Sequence, residues 1–297
     1  MSATTSPGMP SRDVGQVTAR LVSAGVEGAY RRMTFAAPGV AALARPGQFV
    51  ALTVGGPTAA TLLRRCFSIY RVDVAADTVE IVVAAHGPGT VWLTDLALGG
   101  EVDLVGPLGR PFPLPTDPVP CVLVGGGYGS APLFWLAEAL RERGCATELI
   151  LGAASADRLF GVEQAHEVAD GVTVTTEDGS LGTQGWVSHV LPGVARLSSA
   201  VVVYACGPMP MLQSVAEIAE REGAVAQVAV EEAMACGVGV CMTCVLPVRG
   251  RDGSTRMVRS CVEGPVFRGD RVRWDALVDG RGTVPADAVG APAQGGH

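Results

Sequence analysis

Four cysteines near the C-terminus constrain this chain more than any other feature of its sequence. Three of them, Cys236, Cys241 and Cys244, stand in the run MACGVGVCMTC, and Cys261 follows in a later segment. The spacing C-x4-C-x2-C with a distant fourth cysteine is that of a plant-type [2Fe–2S] site. Thiolates are the soft ligands that iron–sulfur clusters select, and the intervening glycines suit a tight loop. The sequence therefore predicts that these four cysteines hold a [2Fe–2S] cluster.

A zinc site or a set of ordinary buried cysteines is the alternative reading of this segment. Structural zinc sites usually carry paired C-x2-C knuckles, and the run C-x4-C-x2-C differs from that pattern. The chain has eight cysteines, of which Cys66, Cys121 and Cys145 are interpreted as small buried residues without a chemical role.

Composition excludes several classes of function. The chain has 297 residues, enough for about two domains, and 48% of them are hydrophobic. A net charge of −7 argues against nucleic acid as a partner. The N-terminus lacks the basic and apolar regions of a secretory signal, and no apolar run reaches the roughly 18 residues of a membrane span. We therefore expect a cytoplasmic protein, where thiols stay reduced.

The pattern along the chain predicts a multidomain β plus α/β protein. Short β-branched runs bounded by turn residues predict an antiparallel β-barrel over 15–116. Strands that alternate with helices predict a parallel sheet over 117–225, and the cysteine segment forms a third, small unit over 226–279. The polar stretches 1–14 and 280–297 are predicted to be a disordered arm and tail.

Two glycine-containing turns follow apolar strands of the α/β region. Gly125-Gly-Gly-Tyr-Gly-Ser-Ala-Pro132 opens a helix, so its N–H groups can hold a pyrophosphate, although it departs from G-x-G-x-x-G. Cys206-Gly-Pro-Met-Pro-Met follows a later strand, at the sheet edge where ligands bind in open α/β folds. A tight strand–helix turn and a buried cysteine before a Pro-capped helix are the respective alternatives.

A third motif lies in the barrel region. Arg65-Cys-Phe-Ser68 places an arginine and a hydroxyl on one strand, where they can contact a phosphate and a flavin ring. Together with the turn Gly87-Pro-Gly-Thr90, which opens a helix, it indicates a second anion site.

The order of these motifs resembles the ferredoxin–NADP⁺ reductase superfamily. Within it, VEEAMACGVGVCMTCVLPV followed by CVEGPVF resembles the PyrK family, the electron-transfer subunits of NAD-linked dihydroorotate dehydrogenase. The resemblance covers roughly residues 15 to 275. It implies an FAD-binding barrel, a ferredoxin-reductase-like NAD-binding domain, and a C-terminal [2Fe–2S] domain.

The resemblance also implies roles for the motif residues. Arg65 would hold the FAD pyrophosphate, Phe67 and Ser68 would lie along the isoalloxazine, and Gly89 and Thr90 would bind FAD phosphate or ribose. The residues that would frame the NAD site or face the nicotinamide are Gly127, Gly129, Pro132, Cys206, Gly207 and Pro208. The turn with Thr176 and Asp178 would border the NAD pocket, and no residue is assigned a catalytic acid–base role.

The implied function is electron transfer in de novo pyrimidine (UMP) biosynthesis. Electrons would pass from dihydroorotate, through FMN on a separate catalytic subunit, to the [2Fe–2S] cluster, FAD and NAD⁺. FAD lies between the other two carriers because NAD⁺ takes hydride and the cluster takes single electrons. The implied assembly is a heterotetramer of two plus two subunits.

Two other functions stay open from the sequence. An NAD(P)H-dependent flavin and iron–sulfur reductase component could serve an oxygenase or hydrogenase partner, with electrons flowing towards the cluster. A redox sensor with a cluster but no turnover is the second, although the flavin and nicotinamide motifs argue against it. Arg158 alone is weak support for a 2′-phosphate site, so NAD is favoured over NADP.

Overall fold

Alternating apolar residues build a closed antiparallel barrel at the N-terminal end. The computed structural model describes residues 15–56, 61–278 and 281–290, so the predicted arm 1–14 lies outside the described residues. The barrel strands run in the order β1-β2-β5-β4-β3-β6. They are β1 (Gly15–Glu27), β2 (Tyr30–Ala36), β3 (Phe49–Leu52), β4 (Arg65–Asp73), β5 (Thr78–Val83) and β6 (Glu101–Leu108). Two short helices, α1 (Val40–Leu43) and α2 (Pro88–Thr94), connect them.

The middle of the chain forms a mostly parallel sheet with helices on its faces. Its strands are β7 (Cys121–Gly126), β8 (Thr147–Ala153), β9 (Gly171–Thr176), β10 (Thr183–Gln184), β11 (Val202–Cys206) and β12 (Val225–Ala229). Its helices are α3 (Ala131–Glu142), α4 (Val162–Val168), α5 (Val187–Leu197) and α6 (Met209–Arg221). Strand β7 lies between β8 and β11, which makes it the point where the strand order reverses. Ligands bind outside the carboxyl ends of strands at such a point.

The cysteine segment joins this sheet as well as forming a unit of its own. A hairpin of β13 (Val245–Arg249) and β14 (Thr255–Arg259) follows the cysteine loop. Next, β15 (Val266–Arg268) pairs antiparallel with β12 at the edge of the α/β sheet. The predicted division after residue 225 therefore differs from the structure, because β12 continues to Ala229 and needs β15 to satisfy its backbone groups.

Residues 281–290, assigned from sequence to a disordered tail, have a defined structure. Strand β17 (Arg281–Gly282) pairs with β16 (Leu277–Val278). The carboxylate of Asp287 accepts hydrogen bonds from Arg273 and Thr255, and Ala288 is 6% exposed. The composition of this stretch is typical of disorder, but the ion pair of Asp287 with Arg273 anchors it. The remainder of the predicted tail lies outside the described residues.

The barrel and the α/β sheet pack against each other through one shared apolar cluster. Tyr70 of β4 packs against Phe134 of α3 at 6.1 Å and against Phe160 at 5.5 Å between ring centroids. These edge-on aromatic contacts bury large apolar area between the two parts and fix their relative position. No helix in the described ranges combines the length and apolarity needed to cross a bilayer.

Candidate functional site: a cysteine loop beside the barrel and a cavity in the parallel sheet

The loop between β12 and β13 carries three of the predicted cluster ligands. Gly237 and Gly239 have φ of +73° and +86°, so the loop takes left-handed turns that favour glycine. The backbone N–H groups of Val240 and Cys241 point at the sulfur of Cys236, at 3.4 and 3.5 Å. Backbone donors directed at a thiolate stabilise its charge, which is what cluster ligands require.

Cys236 interacts with Cys241 and Cys244 interacts with Cys261, and Cys261 also interacts with Cys236. Hydrogen bonds from Thr243, and next from Cys236, lower the pKa of the Cys241 thiol to about 6. Burial, followed by the contact with Cys244, raises the pKa of Cys261. In the described ranges, no group of three or more His, Cys, Asp or Glu side chains is arranged so that it could hold a metal ion.

The buried pair packs against the outside of the barrel. Cys244 and Cys261 are 2% and 1% exposed and share an apolar cluster with Phe49, Ala51 and Leu108. Cys241 is exposed on the other side of the loop. The site therefore has one face against the barrel and one face open to solvent.

The barrel motif contacts this loop directly. Cys66, placed between Arg65 and Phe67 on β4, packs against the apolar cluster that contains Cys244 and Cys261. Burial, and next the neighbouring Cys236, raise the pKa of the Cys66 thiol to about 12, so it is a neutral thiol. The sequence interpretation of Cys66 as a residue without a role missed this position.

Arg65 lies beside Gly89 in the first turn of α2. A Cβ atom at Gly89 would lie 3.3 Å from the Nε of Arg65. The hydroxyl of Thr90 accepts the N–H of Gly87 at 3.1 Å and closes this turn. Ser68 is exposed and Phe67 is half-buried against the barrel core. The FAD contacts of these residues stay predictions.

A cavity of about 550 Å³ opens at the carboxyl ends of the parallel strands. Gly127 and Pro208, from the two predicted glycine turns, line it. Gly129 lies behind the wall, where a Cβ atom would be 2.8 Å from the Cα of Gly207, so both residues must be small. Pro132 and Cys206 are buried behind the cavity rather than on its surface.

Thr176 and Asp178, the residues predicted to border the NAD pocket, are not among the residues that line the cavity. The hydroxyl of Thr176 is buried and donates to the carbonyl of Leu181 at 2.8 Å, and Asp178 accepts from Ser180 within the turn. Thr175 and Glu177 line the cavity instead. The strand alternation places Thr176 inward, which the motif alone did not reveal.

Glu231 is a cavity residue that sequence reasoning missed. Glu231 lines the cavity, and desolvation by the surrounding protein raises the pKa of its carboxyl. It also acts on Cys206, whose pKa is raised first by burial and then by Glu231. Glu231 follows β12, so the strand-end rule that selected Cys206 could have found it.

Comparisons with known proteins decide the family. Residues 231–273 match the iron-sulfur cluster binding domain of dihydroorotate dehydrogenase B. The chain is 40% identical over 231 residues to the "Dihydroorotate dehydrogenase B (NAD(+)), electron transfer subunit" of Geobacillus kaustophilus, covering 77% of this chain and 86% of that protein. It is 35% identical to the subunit of that name from Fusobacterium nucleatum, covering 75% and 84%. The chain belongs to this family of electron transfer subunits.

A solved structure supports the same assignment. An NADH-dependent reduced ferredoxin-NADP oxidoreductase, described for flavin-based electron bifurcation, superposes with a TM-score of 0.77 at 30% identity, covering 88% of this chain and 91% of that one. The predicted fold class and family are thus confirmed. As a member of the dihydroorotate dehydrogenase B electron transfer family, the chain is a flavin and iron–sulfur oxidoreductase subunit.

Proposed function

We propose that this chain passes electrons from the FMN-containing catalytic subunit of dihydroorotate dehydrogenase to NAD⁺ in pyrimidine biosynthesis. The observation that carries the proposal is the contact between the cysteine loop and β4, beside the motif Arg65-Cys66-Phe67-Ser68, in one chain with a nucleotide cavity. A flavin, when bound, exchanges two electrons with nicotinamide and single electrons with an iron–sulfur cluster. The chain itself supplies binding, orientation and electrostatics.

Each group of residues has a separate part in this function. Cys236, Cys241, Cys244 and Cys261 are proposed to hold the cluster. Arg65 is proposed to neutralise the FAD pyrophosphate beside Gly89 and Thr90, with Phe67 and Ser68 along the ring. Gly127 and Pro208 are proposed to contact NAD from the cavity wall, and Gly129, Pro132, Cys206 and Gly207 to shape it from behind. The described cavity lining contains one arginine and two glutamates, which favours NAD over the 2′-phosphate of NADP.

The catalytic subunit is proposed to dock on the outer face of the cysteine loop. Val238, Val240 and Met242 are 48%, 79% and 52% exposed and surround exposed Cys241. Exposed apolar residues in a group mark interaction sites, and docking here would bring a partner's cofactor near the loop. We propose a heterotetramer of two chains with two catalytic subunits in the cytoplasm.

An anaerobic assay with the catalytic subunit from the same organism tests the function. Dihydroorotate and NAD⁺ are added, and NADH formation is followed by its absorbance. NADH formation that needs both proteins is the expected result. A chain whose flavin is reduced by NADH, but which forms no NADH with that subunit, would instead be a reductase component for another partner.

A further inference from the structure

Arg259 makes contacts on both sides of the cysteine site. It is the last residue of β14, and its Nη1 donates to the carbonyl of Gly239 at 2.9 Å. Its Nη2 donates to Oε1 of Glu263 at 3.0 Å, and Oε2 of Glu263 accepts the backbone N–H of Arg259 at 2.9 Å. One guanidinium thus ties the loop that carries Cys236 and Cys241 to the segment that carries Cys261.

The contact with Gly239 occurs where the loop is most closely packed. A Cβ atom at Gly239 would lie 2.4 Å from the Cγ2 of Val262, so the loop passes directly over the residue after Cys261. The hydrogen bond from Arg259 holds the Gly239 carbonyl at this point. A shift of the loop that changed the distances between the cysteines on its two sides would break this bond.

Arg259 also brings a fixed positive charge to the thiols. Its guanidinium interacts electrostatically with Cys261 and Cys244, the buried pair. A [2Fe–2S] cluster with four thiolates becomes more negative on reduction, so a nearby cation favours the reduced state. Arginine suits this place because its charge does not depend on pH in the accessible range and its planar fork serves two acceptors at once.

We propose that Arg259 is a positioning residue that fixes the cysteine loop and raises the reduction potential of the cluster, with Glu263 as its counter-charge. The proposal rests on the cluster ligation proposed above. It assigns opposite electrostatic effects to two residues that touch each other. Removing Arg259 leaves a carboxylate near the cluster, whereas removing the charge of Glu263 leaves an uncompensated guanidinium.

The same hairpin contains a matched control. Arg256 and Asp252 form an ion pair of 2.8 Å between side chains that are 59% and 54% exposed, in and beside β14. This pair has the same sequence spacing and the same residue chemistry as Arg259 and Glu263. Arg256→Gln therefore removes an arginine from the same strand without removing the contact with Gly239.

The test is a redox titration of the full-length, cluster-loaded chain, in which the EPR signal measures the fraction of reduced cluster. For Arg259→Gln we expect the ratio of reduced to oxidised cluster at a given potential to fall about tenfold. This corresponds to a midpoint potential lower by about 59 mV for one electron. For Glu263→Gln we expect a rise of about threefold, and for Arg256→Gln no change.

Opposite shifts for the two variants, with iron and sulfide content near wild type for Glu263→Gln, support the proposal. Midpoints that do not move, or that move in the same direction, overturn it, since a merely structural clamp would alter only cluster content. If the Arg259→Gln chain binds no cluster, the midpoint potential of Glu263→Gln alone decides the proposal, because that variant keeps the contact of Arg259 with Gly239. A wild-type chain that binds no cluster would overturn the ligand assignment instead, and with it this proposal.

Discussion

Cys66 and Gly237 meet where the barrel touches the cysteine loop, and a Cβ atom at residue 237 would lie 3.2 Å from the Cys66 sulfur. The same Cβ atom would lie 3.4 Å from Leu108 and 3.5 Å from Ala51. This close approach joins the strand of the flavin motif to the first turn of the cysteine loop. Glycine is favoured at position 237 for two independent reasons, a left-handed φ and the short distance to the Cys66 sulfur.

Gly237→Ala should therefore loosen the contact between loop and barrel. The left-handed φ alone costs roughly 1–2 kcal/mol for a residue with a Cβ atom, and the contact with Cys66 adds to it. We expect a lower iron and sulfide content and faster loss of the visible absorbance on warming. Gly253→Ala is the matched control, since Gly253 has φ +79° and a Cβ atom there would meet nothing within 4 Å. Equal losses in both variants would show that the contact with Cys66 contributes nothing.

Cys241→Ala should abolish the cluster absorbance and the electron transfer to NAD⁺. Each iron needs two thiolates, so the loss of one exposed ligand leaves an incomplete pair with Cys236. Visible absorbance, iron content and NADH formation are measured on the same preparation. Cys145→Ala serves as the control, because Cys145 is buried beneath α3 in the core of the α/β domain. A Cys241→Ala chain with a full cluster and full activity would disprove this ligand assignment.

Arg65→Ala should weaken FAD binding without unfolding the barrel. Hydrogen bonds to charged groups contribute about 1.5–3 kcal/mol, so we expect the Kd for FAD to rise by about tenfold to a hundredfold. Fluorescence titration of the flavin-free chain measures it. Arg20→Ala, which removes an exposed ion pair with Glu101 on the same barrel, is the control. An unchanged Kd would remove Arg65 from the proposed pyrophosphate site.

Val240→Glu should weaken binding of the catalytic subunit by at least about tenfold, since a carboxylate in an apolar contact must be desolvated. Val26→Glu is the comparison, because Val26 is 81% exposed on β1, and Val240 is 79% exposed. Calorimetry of the two subunits gives the affinity, and the cluster absorbance verifies that the loop is intact. Full affinity in Val240→Glu would place the docking face elsewhere.

The sequence predicted the fold class and the family correctly because the features that indicate them depend on local chemistry. The cysteine spacing, the glycine turns after β7 and β11, and the alternation of strands and helices are readable without tertiary contacts. The sequence did not predict three residues of the cavity lining, because their position depends on which face of a strand end meets the cavity. They are Thr175, Glu177 and Glu231.

Long-range contacts explain the other differences between prediction and structure. Strand β15 pairs with β12 across the predicted domain boundary, and no local pattern specifies that partner. Residues 281–290 are anchored by the ion pair of Asp287 with Arg273, which lies 14 residues earlier in the chain, and no local pattern specifies that partner. Cys66 looked like an ordinary small residue because its neighbours Cys236 and Cys244 come from the other end of the chain.

The stability of the chain should depend on the protonation of Glu232. Burial raises the pKa of Glu232 from 4.5 to about 7, and Arg281 offsets this only in part. One of its carboxyl oxygens is buried and has no hydrogen-bond partner among the described residues. The folded chain binds this proton more tightly than the unfolded chain, so the stabilisation is fully present below pH 4.5 and is lost as the pH rises through about 7.

Glu232→Gln should remove that dependence. We expect the wild-type free energy of unfolding to fall by roughly 1–2 kcal/mol from this residue as the pH passes from 4.5 to 8, after allowance for its partial exposure. The variant should be more stable than wild type at pH 8 and similar to it at pH 4.5, as measured by urea denaturation. Exposed Glu142→Gln should keep the wild-type dependence. A Glu232→Gln curve parallel to wild type across this range would mean that the carboxyl is already ionised in the folded chain.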